Sequence, residues 1–241
     1  MIGVKRFIAA AGVFFTSAML LMGQDKQEMS VEESYLQESM DFLIIREQSR
    51  ADNREAKLAA LDYIGQAIEG GKTGEDVRSA LEYLAMDGIL NKTTENGRLI
   101  NNNPDIRLKA ATYLGELGTA EAKDTLIKLL LIDPEPMVLT ETVKSLGKIG
   151  LNDNNETVNA ISWIVTRFDV LNPDNLLALS ALDTYEILAD KDGGIKDATA
   201  LRSIIRIADG RYIKPVQERA RQLLAKLRKY SVQNQNQQSS R

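Results

Sequence analysis

Three short stretches hold the residue types from which a chemical site is commonly built. Gly71-Lys72-Thr73 ends like a nucleotide-binding phosphate loop, in which backbone amides wrap a phosphate and a lysine reaches it. That motif wants its first glycine at position 66, which is Gln66, and Gly65 misses by one residue. It also wants a buried strand before the loop, whereas LAALDYIGQAIE (Leu58 to Glu69) has the apolar spacing of an amphipathic helix. The stretch therefore reads as a turn between two helices, with Thr73 capping the second and Asp76 completing the box. DKDGGIKD (Asp190 to Asp197) is rich in oxygen ligands, but a calcium loop counted from Asp190 needs a bidentate glutamate where Leu201 stands. LNDNNE (Leu151 to Glu156) has acceptors without a loop pattern, and both segments read as solvated turns.

The missing residue types exclude more. The 241 residues contain no histidine and no cysteine. Ser-His-Asp and Cys-His catalysis are thereby excluded, as are zinc sites built on Cys or His. Carboxylate-dependent hydrolysis survives as a class; it needs paired acids, of which Asp124 and Glu156 are the kind of candidates. No spacing pairs them. The expectation is a chain with no catalytic residues, no cofactor and no metal.

Charge is distributed unevenly. Residues 24–104 hold 16 acids and 9 bases, residues 105–194 hold 15 and 8, and residues 195–241 hold 3 and 11. The basic end carries Arg202, Arg206, Arg211 and Lys214, followed by Arg219, Arg221, Lys226, Arg228 and Lys229. This set is either the solvated face of a terminal repeat or a docking surface for an acidic partner, with Arg202 and Arg206 one helical turn apart. Aromatics do not interleave with these bases beyond Tyr212 and Tyr230, which argues against nucleic acid. Trp163, the single tryptophan, lies in AISWIVTRFDV and reads as a core residue of a helix, weighed against a binding anchor.

What must position these residues is an internal repeat. REAKLAALDYIGQAI, DIRLKAATYLGELG, PMVLTETVKSLGKIG, DNLLALSALDTYEIL and PVQERARQLLAKL align on a small residue at mid-helix: Ala60, Ala110, Thr142, Ala181 and Ala220. The steps between them are 50, 32, 39 and 39 residues, three of them near the period of a two-helix repeat. All five prolines (Pro104, Pro134, Pro136, Pro173, Pro215) fall just before a first helix, where a fixed φ is welcome and a missing amide costs nothing. Glycines at Gly70-Gly71, Gly118, Gly150 and Gly193-Gly194 close those helices. One amphipathic hairpin cannot bury its own apolar face, so neighbours must stack. The expectation is an all-α, right-handed solenoid of about four to five hairpins over residues 52–230. A capping helix is expected within residues 24–51, opened by Ser30-Val31-Glu32-Glu33. A polar loop over Gly88 to Asn103 absorbs the long first step. The Gln/Asn-rich stretch 231–241 is expected to be disordered.

KAATYLGELG (Lys109 to Gly118) and ETVKSLGKIG (Glu141 to Gly150) resemble HEAT-like repeats, the armadillo-type α-solenoid family. In the fourth hairpin Tyr185-Glu186 replaces the Leu-Gly pair, which leaves its register open. The resemblance implies a binding scaffold, with second helices usually lining the concave face. Enzymatic relatives use His-Glu metal ligands, and this chain has no histidine to match them.

The first residues speak to compartment. Lys5 and Arg6 precede an apolar run from Phe7 to Met22, then polarity returns abruptly. That is the build of a signal peptide over residues 1–23; its 16 apolar residues fall short of the ~20 that span a bilayer. Together these features point to an exported bacterial scaffold, non-catalytic, in the periplasm or cell envelope, binding a protein partner that is acidic if the basic end docks it. No stable membrane insertion is expected after cleavage. The alternative is a structural or accessory subunit of a larger envelope machine.

Overall fold

The computed structural model describes residues 30–239, and the expected signal peptide lies outside them. Among the described residues the chain forms α1 (Val31–Ser49), α2 (Arg54–Glu69), α3 (Glu75–Ala85), α4 (Pro104–Leu117), α5 (Ala120–Ile132), α6 (Pro136–Ile149), α7 (Glu156–Leu171), α8 (Asn175–Asp192), α9 (Ala198–Asp209) and α10 (Lys214–Ser239). A two-stranded hairpin, β1 (Thr94–Glu95) with β2 (Arg98–Leu99), interrupts them. No described helix is long and apolar enough to cross a membrane. The fold is an all-α solenoid. Helices α2/α3, α4/α5, α6/α7 and α8/α9 are the hairpins, α10 is a further first helix, and α1 packs on both α2 and α3 at the start.

Local chemistry sets the joints. Pro104 and Pro136 open α4 and α6, and Gly118, Gly150 and Gly193 close α4, α6 and α8 in the left-handed conformation. Asn53, Thr119, Asp174 and Asp197 cap α2, α5, α8 and α9 by accepting backbone N–H bonds. The turn before α3 differs from expectation: Gly74 is the cap, with no side-chain bond, and Thr73 lies outside the helix. Gly71 sits at φ +74°, and the Lys72 amide donates back to the Ala67 carbonyl, closing α2.

The mid-helix markers occupy equivalent places, since Ala60, Ala110, Thr142, Ala181 and Ala220 are all fully buried. Five residues beyond each marker stand Gly65, Gly115, Gly147, Glu186 and Ala225. These positions face the next first helix. A Cβ added at Gly115 would lie 2.7 Å from Ser145 Cβ and 3.0 Å from its Cα, and one at Gly147 would lie 2.8 Å from Thr184 Oγ1. Gly65 faces only the hydroxyl end of Tyr113. At the last junction Glu186 replaces glycine, and its carboxylate instead pairs with Arg219 and Lys226 of α10. Tyr185 is fully buried and Ala181 keeps its register, so the altered pair changes the contact without shifting the repeat.

The long first step is filled by an ordered polar segment rather than a plain loop. Asn96 (φ 50°) and Gly97 (φ 76°) form the tight turn of the β1–β2 hairpin, as an Asn-Gly pair favours. Asp87, fully buried, accepts from Lys57 Nζ at 2.5 Å, from Asn101 Nδ2 at 2.8 Å and from Asn103 Nδ2 at 3.2 Å. Arg107, equally buried, donates from Nε to Asp133 at 2.6 Å and from Nη1 to the Asp87 carbonyl at 3.1 Å. At the other end α10 runs through Ser239, so residues 231–239 are helical where disorder was expected. That stretch contains no proline or glycine, and Gln is a fair helix former continuing a helix already nucleated.

The two glycine contacts should separate on substitution. Gly115→Ala meets the Ser145 backbone and should lower stability by about 1–3 kcal/mol. Gly65→Ala meets a side-chain tip that can swing aside, and the gain of roughly 0.5–1 kcal/mol in helix propensity should leave it neutral or better. Urea denaturation of the two variants checks this.

Candidate functional site

The acids singled out in the sequence are engaged with neighbouring groups of the fold. Asp197 accepts the Thr199 and Ala200 amides at 2.7 and 3.0 Å, and Asp190 accepts from the Tyr230 hydroxyl at 2.6 Å and pairs with Lys226. Asp124 and Glu156 converge on Lys123, with Asp153 as a third partner, so a buried ammonium sits where a carboxylate pair would need a proton. The effect is to raise the Lys123 pKa, chiefly through its bond to Glu156. This cluster ties α5 to the start of α7. Among the described residues no group of three or more acids is arranged to hold a metal ion.

The basic end divides into two sets. Arg219 and Lys226 are spent on α8: Arg219 meets Asp183 at 2.7 Å and also Glu186, while Lys226 meets Glu186 at 2.8 Å and Asp190 at 2.6 Å. Arg221 donates to the Ala208 carbonyl at 2.8 Å. Arg206 reaches Asp169 of α7 at 3.7 Å. Arg202, Arg211, Lys214, Arg228 and Lys229 are exposed and make no ion pair among the described residues. Of the four residues expected to form a docking surface, Arg202 and Arg206 share a face of α9, Arg211 follows that helix and Lys214 begins α10.

Trp163 corrects an expectation. It is 46 % exposed and not a core residue. On α7 the inward face is Val158, Ile161, Ile164 and Val165, while Trp163, Arg167 and Val170, at i, i+4 and i+7, point outward. The Arg167 guanidinium lies over the indole, 5.5 Å from the ring centroid. Trp163 and Val170, together with Asn159, Ser162, Thr166 and Arg167, line one wall of a groove of about 680 Å³, whose other wall includes Thr199 of α9. Arg202 follows Thr199 by one turn, and Arg206 a turn later bonds across to α7, so this face of α9 is turned along the groove.

Beneath the lining Ser162, α7 and α9 are tied together. The Tyr185 hydroxyl bonds both Ser162 of α7 at 2.8 Å and Ser203 of α9 at 3.0 Å. Burial pushes its pKa up to about 12, so it stays a neutral bridge between the two second helices. Tyr212, after α9, is buried, and its pKa is raised by burial and by Asp169, the partner of Arg206. The result is an apolar trough lined by Trp163, Val170 and Arg167, with Arg202 one turn beyond Thr199 on α9.

The α8–α10 ion pairs that hold this end together give it an acid limb. Bonds from Lys226 are the largest cause holding both the Glu186 and the Asp190 carboxyl below their ordinary values of 4.5 and 3.8. A depressed folded pKa means stabilisation that is complete above the unfolded value and lost as pH falls through the folded one. Urea midpoints should therefore hold steady above about pH 5 and decline below it, and Lys226→Met should flatten that decline. An unchanged acid limb in the variant would contradict the assignment.

A family model described as HEAT repeats matches residues 98–166, from β2 into α7 and across the hairpins α4/α5 and α6/α7. No curated protein and no solved structure matches the chain. HEAT repeats commonly mediate protein–protein interactions, and the fold is typically a non-catalytic scaffold.

Proposed function

We propose that this all-α solenoid, whose residues 98–166 match a HEAT-repeat model, is a non-catalytic scaffold that binds an acidic protein segment along the α7–α9 groove. The observation that carries this reading is the exposed Trp163–Arg167 pair lining an apolar trough, with Arg202, which makes no ion pair among the described residues, one turn beyond the lining Thr199. Monomers rarely leave a tryptophan half exposed in a concave apolar site, and Trp and Arg are the residues most enriched at binding hot spots. The groove needs little reorganisation to receive a ligand, because Tyr185 already fixes its two helices. Arg167 and Arg202 would steer an acidic partner and select its orientation.

The reading places this scaffold in the periplasm or cell envelope. Its support is Lys5-Arg6 followed by the apolar run Phe7 to Met22, the build of an export signal. Within an envelope the same surface would serve an accessory subunit of a larger machine equally well.

A synthetic helical peptide with leucine anchors and glutamate flanks is a suitable probe. It should bind the wild-type chain, and Trp163→Ala should weaken it by about tenfold or more, the effect of losing a hot-spot residue. Arg202→Glu should weaken it further at low salt than at high salt, while a lysine-flanked peptide should not bind. Calorimetric titration measures all four. Equal affinity for the acidic and basic peptides would overturn the proposal, as would a Trp163→Ala variant that binds like wild type.

A further inference from the structure

Successive first helices in this solenoid meet by a rule that the last one leaves unfulfilled. The position five residues after each marker receives the next first helix: Gly115 takes Ser145, Gly147 takes Thr184. At three of the four junctions the position two residues after the marker bonds the residue just before the next marker, whereas Lys144 of α6 pairs with Glu141 of its own helix. Asp62 meets Lys109 at 2.5 Å, Thr112 donates to Glu141 at 2.9 Å, and Asp183 meets Arg219 at 2.7 Å. Asp190, nine residues after its marker, meets Lys226 at 2.6 Å.

On α10 the same three positions are Gln222, Ala225 and Lys229. All three are exposed, and they border a shallow groove of about 610 Å³ that runs along α10 and also takes in Glu186 of α8. Ala225 is a small residue held where the other helices seat a neighbour, and no helix is seated on it. The charge is reversed relative to the α8 junction: an acid at the ninth position on α8 becomes Lys229 on α10. The incoming helix must therefore be acidic, and it must offer apolar side chains to lie over Ala225.

At the opposite end of the chain α1 has that character. It carries five acids (Glu32, Glu33, Glu38, Asp41, Glu47) against one base, Arg46. Its inward face includes buried Ile45, while Met40 and Leu43 are 54 % and 44 % exposed on the opposite side, one turn apart, with Glu47 a turn further on. Helix α10 has six bases and one acid. We propose that α1 of a second copy stacks on α10 across Ala225, continuing the solenoid head to tail. Such a contact is heterologous: it joins two different surfaces and leaves a free end at each terminus of the assembly.

Because the chain has no cysteine, the contact can be read by single-cysteine cross-linking of the full chain. Met40→Cys and Ala225→Cys change exposed positions and leave the core intact. Mixed and mildly oxidised, the two variants should give a covalent dimer, and each variant alone should give little. Lys229→Glu in the Ala225→Cys chain should cut the mixed dimer several-fold, as should salt at about 1 M, where charges are screened beyond roughly 3 Å. Leu90→Cys, at a 65 % exposed site away from both ends, is the control for random collision. The proposal is overturned if the mixture yields no more dimer than that control, or if either variant alone dimerises as efficiently as the mixture.

Discussion

The missing side chains at Gly115 and Gly147 let three successive first helices approach until Ser145 and Thr184 occupy the space a Cβ would take. Everything else follows the stack this creates. The second helices follow, because each is joined to its first helix by a joint of only a few residues. Thr184 marks how tight the fit is: its hydroxyl donates to the Val143 carbonyl of α6 at 3.0 Å, a bond made from α8 into a neighbouring helix backbone. Where glycine gives way to Glu186, contact packing gives way to ion pairs, and the last helix is held by Arg219 and Lys226 instead.

A second constraint operates at the N-terminal side. Lys57, Asp87, Arg107 and Asp133 are buried charges, which a fold tolerates only when each is paired and hydrogen-bonded. Here they are: Asp87 collects Lys57, Asn101 and Asn103, and Arg107 spans from Asp133 to the Asp87 carbonyl and Asn102. The cluster thus pins the segment 88–103 against α2 and α4. Satisfied networks of this kind specify one arrangement over others more than they add net stability. It is the reason the 18-residue connection between α3 and α4 can be ordered while carrying only a four-residue hairpin ladder.

Much of this was legible in the sequence because a repeat displays its rule several times. Proline entrances, glycine exits and the small marker residues located the helices, and all five markers are fully buried. Other features depend on detail that a repeat average hides. Trp163 sits among apolar neighbours, and only its offset of two from Ile161, about half a helical turn, shows that it faces out. The Asn96-Gly97 hairpin signal was present but masked by the polar composition around it. Thr73 is a good capping type, yet Gly74 takes the cap because Lys72 and Thr73 are used in leaving α2. Which bases are free could not be read at all, since Arg219 and Lys226 find their acids 33 to 40 residues away in sequence. The two halves of the basic end look alike until the stack pairs one of them.

What remains unpaired is therefore informative. The α7–α9 trough is where an exposed indole, an apolar lining and Arg167 coincide, one helical turn from Arg202, which makes no ion pair among the described residues. Trp163 is the single tryptophan, so its indole N–H gives one isolated resonance in a nitrogen-labelled sample. Titration with the glutamate-flanked peptide should move that resonance to saturation, and the same titration of Arg202→Glu should move it far less at equal peptide. An indole resonance that stays fixed while the peptide binds elsewhere would contradict the assignment of the α7–α9 groove as the docking surface.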